Sequence, residues 1–114
     1  MQIVRKDAAN ALPNFALVQL VGCLEPAANG RWQLTRTTDP VAVKEDSTTA
    51  TSIRAAEASP LGSGKFDLVS VSRAYQAEAH RGHKMEACGL LYRDSAYSEI
   101  NLTSLTMVSP TCAN

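Results

Sequence analysis

The sequence predicts an all-β fold, a small barrel with one short helix. Short runs of alternating apolar and polar residues recur along the chain, and clusters of Gly, Pro and Asn separate them. Thr, Ser and Val are plentiful, whereas aromatic residues make up only 5% of the chain. A hydrophobic content of 45% in 114 residues indicates one folded domain with a single main core.

Net charge and hydropathy argue against several classes of protein. Eleven basic and eleven acidic residues cancel, so no net field attracts the chain to nucleic acid or to anionic lipid. No run approaches the ~20 apolar residues that a transmembrane helix needs, and we expect no transmembrane segment. Polar residues interrupt the first apolar run, so we find no convincing signal peptide. Residues 20–23 also match a lipoprotein cleavage box, but we favour a strand there because that apolar run is weak.

The chain divides into an arm and a domain. Residues 1–16 show no sustained hydrophobic period and are interpreted as an N-terminal arm. Residues 17–112 form the domain, with a long insertion at about 44–64 that is rich in Ala, Ser and Thr. Because long loops often carry function, the arm and the insertion are candidate contact surfaces. A passive, solvated loop accounts for the insertion equally well.

The first half of the domain contains two clear strands. Alternating apolar residues predict the first strand over residues 17–25. An Asn-Gly pair favours a turn after it, and residues 31–37 predict the second strand, with Trp32 and Leu34 facing inward. A short apolar piece at 41–43 is a candidate for a further strand.

The second half contains three strands and the helix. Phe66 and Leu68 mark the third strand. A short helix is predicted over residues 73–81, with Tyr75 and Ala79 facing the sheet. The last two strands are predicted over the ranges 84–93 and 99–108, and the latter changes phase near 103–104, which indicates a bulge.

The predicted order of elements is three strands, a helix and two strands. This is the order of the OB-fold, a five-stranded Greek-key barrel. We therefore predict an OB-like barrel in which the helix plugs one end. A β-sandwich needs about seven strands, which is more than the pattern supplies. The predicted core contains Trp32, Leu34, Leu68, Met85 and Leu91.

The three cysteines leave two alternatives open. In an oxidising compartment two of them pair and one is left over. In the cytosol all three are reduced and partly buried thiols.

Several short motifs carry a resemblance. They are Gly-Cys-Leu at 22–24, Gly-His-Lys-Met-Glu at 82–86, Gly-Leu-Leu at 89–91 and Met-Val-Ser-Pro-Thr-Cys at 107–112. Together they resemble small exported bacterial domains of uncharacterised function, in which GCL, a GHKVEVTGTL-like strand and a terminal MVS-x-x-C recur. The resemblance covers roughly residues 17–112, apart from the insertion.

This resemblance implies an OB-like barrel, export to the periplasm or the cell exterior, and a disulfide between Cys23 and Cys112. It supplies no active site. The chain departs from the pattern at Cys88, where a small hydroxyl residue is usual, so Cys88 inherits no role and is the odd cysteine.

Candidate chemistry centres on His80, His83 and Cys88. The two histidines are weak metal-ligand candidates, since the chain has no other histidine and four-ligand sites need more groups. We favour a structural role in which His83 holds the corner between helix and strand, and His80 is solvated. Cys88 and His83 fall on opposite faces of one strand, so they form no catalytic pair. We predict no cofactor and no enzymatic activity.

A possible ligand face is formed by Arg31, Gln33, Thr35 and Lys65, on the strands that OB barrels use for oligonucleotides and sugars. It lacks the stacking aromatics of single-strand binders, so nucleic acid is not expected. The sequence thus predicts a non-catalytic module of the bacterial cell envelope. We expect protein partners or self-assembly, as an accessory or structural subunit of a larger assembly. The alternatives are a domain that binds a small ligand, an oligosaccharide or an oligonucleotide, and a metal site or enzyme around His80, His83 and Cys88.

Overall fold

The structure, a computed structural model, describes residues 13–44, 47–94 and 98–112. This part of the chain is mostly β, as the sequence predicts, and its one short α-helix lies within the predicted insertion, not at residues 73–81. The strands are β1 (Leu17–Pro26), β2 (Trp32–Thr37), β3 (Val41–Ala42), β4 (Gly64–Val69), β5 (Lys84–Arg93) and β6 (Ser98–Ser109). The α-helix is α1 (Ala50–Ala58), and three 3-10 helices span Ala28–Gly30, Arg73–Tyr75 and Ala77–His80. No helix among the described residues is long and apolar enough to cross a bilayer.

The strands pair in the order β2-β4-β6-β5-β1-β3, and β1 also pairs with β2. The pairings therefore run in a circuit from β1 through β2, β4, β6 and β5 back to β1. The contact between β4 and β6 is parallel, and the other contacts are antiparallel. The two-residue β3 joins the start of β1, where the short apolar piece at 41–43 had suggested a further strand.

β1 changes partner near its centre. Its first part, up to Cys23, pairs with β5, and Cys23 also opens the pairing with β2. A Cβ atom at the neighbouring Gly22 would lie only 2.7 Å from Cγ2 of Thr37 and 3.0 Å from the carbonyl oxygen of Thr35. Only glycine therefore lets β2 approach β1 this closely.

The main core lies on the inward face of the paired strands. Leu34, Leu68, Met85 and Leu91 are buried as predicted, and Trp32 is half-buried and packs against them. The buried members are Val18, Leu20, Leu24, Leu34, Phe66, Leu68, Ala77, Met85, Ala87, Leu91, Ile100, Leu102 and Leu105.

The predicted helix over residues 73–81 is in fact two 3-10 helices. They are separated by Gln76, whose backbone is left-handed with φ 52°. This break changes the phase of the segment, so Ala77 is buried while Ala79 is exposed, contrary to the prediction. Tyr75 packs against the core as expected.

Two bulges in β6 set the direction of its side chains. Cys88 pairs with Ser104 while Gly89 pairs with Leu102, so Thr103 is the extra residue where the sequence had changed phase. The second register shift makes Val108 the extra residue between the partners of Lys84 and Met85. Val108 is buried in a second, smaller core.

This second core lies between the outer face of the sheet and α1. Ala56 of the helix is buried against Val21 and Val108, and Ile53 and Leu61 pack beside them. The helix begins with a capping box, in which Thr49 and Ser52 each bond the other's backbone N–H. The insertion thus covers part of the sheet.

Two charged side chains of β5 lie buried beneath α1. Lys84 Nζ donates to the carbonyl oxygen of Ser59 at 2.9 Å, and Ser52 Oγ donates to Glu86 Oε1 at 2.9 Å. Glu86 is fully buried, and its Oε2 has no hydrogen-bond partner among the described residues. Because a buried charge is costly unless it is hydrogen-bonded, these two bonds offset part of the cost of burying Lys84 and Glu86.

The disulfide joins Cys23 of β1 to Cys112, with a Cα–Cα distance of 5.9 Å. This confirms the pairing that the sequence motifs implied. The bond links Cys112, the last described residue, to β1, the strand that pairs with both β2 and β5. Cys88 takes no part in it and is fully buried.

Replacing both Cys23 and Cys112 by serine should lower the free energy of unfolding by about 2–5 kcal/mol, because the bond constrains a loop of 89 residues in the unfolded chain. Urea denaturation of the oxidised proteins measures the difference. Dithiothreitol should bring the wild-type protein down to the level of the variant and leave the variant unchanged. A wild-type protein equally stable with and without reductant would contradict this.

Ser52→Ala should destabilise the fold more than Thr49→Ala does. Both variants break the capping box, which costs ~1 kcal/mol, but only Ser52→Ala also leaves the Glu86 carboxylate without its donor, at a further ~1–3 kcal/mol. Urea denaturation of the two variants gives the comparison. Equal losses would show that the Ser52–Glu86 bond contributes nothing.

Candidate functional site

A row of partly exposed polar residues crosses the outer face of the sheet. Going from strand to strand, Glu25 pairs with Gln33, Gln33 with Asp67, Asp67 with Glu99, and Glu99 with Tyr92. Cross-strand partners point to the same side and lie ~5 Å apart. We call these five residues the acidic row, because it holds three carboxylates and no basic side chain.

The acidic row ends at a groove of about 280 Å³. The groove is here named the Phe15 groove, and it is lined by Phe15, Val69, Leu90, Tyr92, Glu99 and Asn101. Glu99 and Tyr92 belong to both features. The apolar side chains of the groove are therefore bordered on one side by carboxylates.

Phe15 is the most exposed large apolar residue described, at 69%. Its ring centroid lies 6.0 Å from that of Tyr92, at an interplanar angle of 39°. Its φ is +69°, a left-handed conformation that bulky residues rarely adopt. Such strain costs of order 1–3 kcal/mol and persists only where the surroundings enforce it.

Hydrogen bonds to the end of β5 hold this strained segment in place. Phe15 N donates to the carbonyl oxygen of Leu91 at 2.6 Å, and Leu91 N donates to that of Ala16 at 3.0 Å. At the preceding residue, Asn14 Oδ1 accepts a hydrogen bond from Arg93 N at 2.9 Å. The last residues of the predicted arm thus dock on the sheet, whereas its residues 1–12 lie outside the described part.

The carboxylates of the row differ in their partners. Thr35 Oγ1 donates to Glu25 Oε2 at 2.9 Å. Among the described residues, Asp67 and Glu99 take part in no ion pair. The ion pair found there joins Arg81 to Glu78. The negative charge beside the groove is therefore available to an incoming cation.

The ligand face predicted from the sequence lies partly within this surface. Thr35 and Lys65 are cross-strand partners, and Gln33 lies two residues from Thr35 on the same side of the sheet. Arg31 is exposed and precedes β2. Asp67 and Glu25 stand among these residues, so the face carries mixed charge.

The two histidines are close together at the end of the 3-10 segment. Their Nδ1 atoms lie 3.1 Å apart and share a hydrogen bond, so one ring donates and the other accepts. Both are half-buried. No group of three or more potential metal ligands, His, Cys, Asp or Glu, occurs in the described ranges.

Backbone bonds tie the second histidine into the corner before β5. His83 N donates to the carbonyl oxygen of His80, and Leu24 N donates to that of His83, both at 3.0 Å. Cys88 lies farther along β5 and is fully buried, which separates it from solvent.

The sequence alone did not reveal the acidic row or the Phe15 groove. The acidic row takes its residues from five strands, and the groove takes its residues from three strands and the arm, so only the pairing of the strands brings them together. The one available signal was that Leu90 and Tyr92 fall on the outward face of β5, where apolar side chains would be exposed.

Comparison with known proteins finds no family model, no curated protein and no solved structure that matches this chain.

Proposed function

We propose that this chain is a non-catalytic, OB-like module of the bacterial cell envelope that binds a partner protein through the Phe15 groove and the acidic row. The partner contributes a segment in which an apolar side chain stands beside basic residues. In this role the module is an accessory or structural subunit of a larger assembly.

The strand pairings support the OB-like part of the proposal. An OB-fold is a five-stranded Greek-key barrel, and the circuit β1–β2–β4–β6–β5 has that number of long strands. The two 3-10 helices between β4 and β5 occupy the place of the usual helix. In this interpretation β3 and α1 are additions within the connection from β2 to β4.

The disulfide supports export. Disulfides form and persist in secreted and periplasmic proteins and are rare in the reducing cytosol. A bond between Cys23 and Cys112 therefore favours the periplasm or the cell exterior.

The observation that carries the binding proposal is the exposed ring of Phe15 against Tyr92 beside unpaired carboxylates. Aromatic side chains dominate the energetics of protein interfaces, and a backbone held at positive φ keeps this ring outside the core. Asp67 and Glu99 supply the charge that would steer a basic segment to the groove.

Site-specific photocrosslinking in the native host tests this proposal. A photoreactive phenylalanine analogue at Asn101, on the groove wall, should yield an adduct with one partner protein. The same analogue at Arg54, exposed on α1, serves as the control and should not yield that adduct.

Asp67→Lys and Phe15→Ala should each reduce the adduct at least tenfold, because a like charge facing a basic segment costs several kcal/mol and hot-spot truncation costs ~2 kcal/mol. Both residues are exposed enough that thermal unfolding should change little. Identical adducts from positions 101 and 54, or an adduct formed only with a second copy of this chain, would refute the proposal.

A further inference from the structure

The disulfide between Cys23 and Cys112 has two unequal ends. Cys23 is 1% exposed, whereas Cys112 is half-buried and follows two exposed residues, Pro110 and Thr111. Thiol–disulfide exchange begins when a thiolate attacks one sulfur of the bond, so access decides which sulfur is attacked. Of the two cysteines, Cys112 is the one that a thiolate in solution can reach.

A guanidinium stands beside the buried sulfur. Nη2 of Arg36 donates to Sγ of Cys23 at 3.2 Å. Arg36 forms no ion pair with any carboxylate in the part of the chain that the structure describes. A neighbouring cation favours the thiolate form of a cysteine, so Arg36 is placed to stabilise Cys23 whenever the bond opens.

The backbone of β2 is distorted at the residue that carries this guanidinium. The register of β2 against β4 shifts between Thr35 and Thr37, so Arg36 is the extra residue of a bulge. Its φ of +52° is left-handed, and Gly62 N donates to its carbonyl oxygen at 3.0 Å. A regular strand would turn residue 36 to the inward face, beside Leu34. The bulge instead keeps Arg36 exposed and against the disulfide.

We propose that this disulfide is a thiol-exchange site, at which an external thiolate bonds to Cys112 while Cys23 departs as a thiolate held by Arg36. The bond between the two Sγ atoms breaks, and a bond forms between Cys112 Sγ and the incoming sulfur. The electron pair of the broken bond stays on Cys23, so the step consumes neither an oxidant nor a proton. Cys23 is the better leaving group because a cation stabilises its thiolate.

The incoming group is a thiolate, supplied by a small monothiol or by a dithiol. A monothiol stays on Cys112 as a mixed disulfide until Cys23 attacks that bond and restores the original one. A dithiol attacks its own mixed disulfide with its second sulfur and leaves both cysteines reduced. Because β6 pairs with β5 up to Ser109, the opening releases the chain beyond Ser109 from β1. The exchange site lies outside the Phe15 groove and does not depend on the proposed protein partner.

Brief treatment of the oxidised full-length protein with the monothiol 2-mercaptoethanol tests which sulfur is attacked. The reaction is stopped with acid, and free thiols are blocked with N-ethylmaleimide. Trypsin cleaves after Arg31, Lys84 and Arg93, which puts each cysteine on its own peptide. Mass spectrometry should find the mercaptoethanol adduct about tenfold more on Cys112 than on Cys23. Equal adducts on the two cysteines, or more on Cys23, would overturn the proposal.

Arg36→Gln measures what the guanidinium contributes. It should slow the opening of the bond by the dithiol dithiothreitol about fivefold, because the departing sulfur loses a charged donor. Arg36→Lys should recover part of the rate. Arg31→Gln removes the same charge from an exposed position just before β2, and it should leave the rate within about twofold of the wild type. An Arg36→Gln protein that opens as fast as the Arg31→Gln protein contradicts the role of Arg36. A destabilised fold would open faster, so slower opening cannot arise from a loss of stability.

The Cys112→Ser variant provides a readout that does not depend on opening rates. Its Cys23 cannot form the disulfide, and a thiolate absorbs ultraviolet light more strongly than a thiol. The thiolate signal should appear at lower pH than in the double variant that also carries Arg36→Gln, because the cation favours the charged form. Cys88 is present in both proteins and cancels in the difference. Coincident titration curves would show that Arg36 does not hold the Cys23 thiolate, and the proposal would fail.

Discussion

The structure depends on one strand that pairs with two others. β1 bonds to β5 along its first part and to β2 along its second, and both sets meet at Cys23. This double use closes the circuit of pairings and gives the apolar residues on the inner face a common interior. Gly22 permits it, because any side chain there would collide with β2. The disulfide joins the same point covalently to Cys112, just beyond the end of β6.

β5 is buried on both of its faces. Its inward residues complete the core, and its outward residues Lys84 and Glu86 lie beneath α1. A strand with charged residues on its outward face normally leaves them to solvent. Here the insertion supplies Ser52 and Ser59 as hydrogen-bond partners, which offsets part of the cost of burying those charges. The insertion is therefore a cover for the sheet, and only its outer side remains available for contacts.

The balanced net charge of the chain conceals an uneven distribution. Carboxylates from three strands line up on the acidic row, whereas Lys65 and Arg93 line a separate surface cleft. Lys65 and Asp67 stand only two residues apart on β4, yet they belong to different features. The balanced composition shows that the chain has no large net charge. It gives no information about local electrostatic fields, because those depend on which strands become neighbours.

The sequence by itself determined the local elements. The alternation of apolar residues located the strands and their inward faces, the phase change near Thr103 located a bulge, and recurring motifs implied the Cys23–Cys112 pairing. These features are local or motif-based, so no knowledge of neighbouring strands was needed. The prediction that Ala79 faces the sheet was wrong. The left-handed residue Gln76 shifts the phase of the segment 73–81, and a helical period in the sequence does not reveal such a shift.

Only the tertiary structure decided where the candidate sites are. The acidic row joins residues of five strands through their register, and register is set by pairing between distant parts of the chain. The docking of α1, the burial of Glu86 and the position of Arg36 beside the disulfide arise in the same way. Each of these features needs side chains from segments that are far apart in sequence. Hydrophobic periodicity indicates which face of a strand a residue lies on, but it does not indicate which residue of another strand lies beside it.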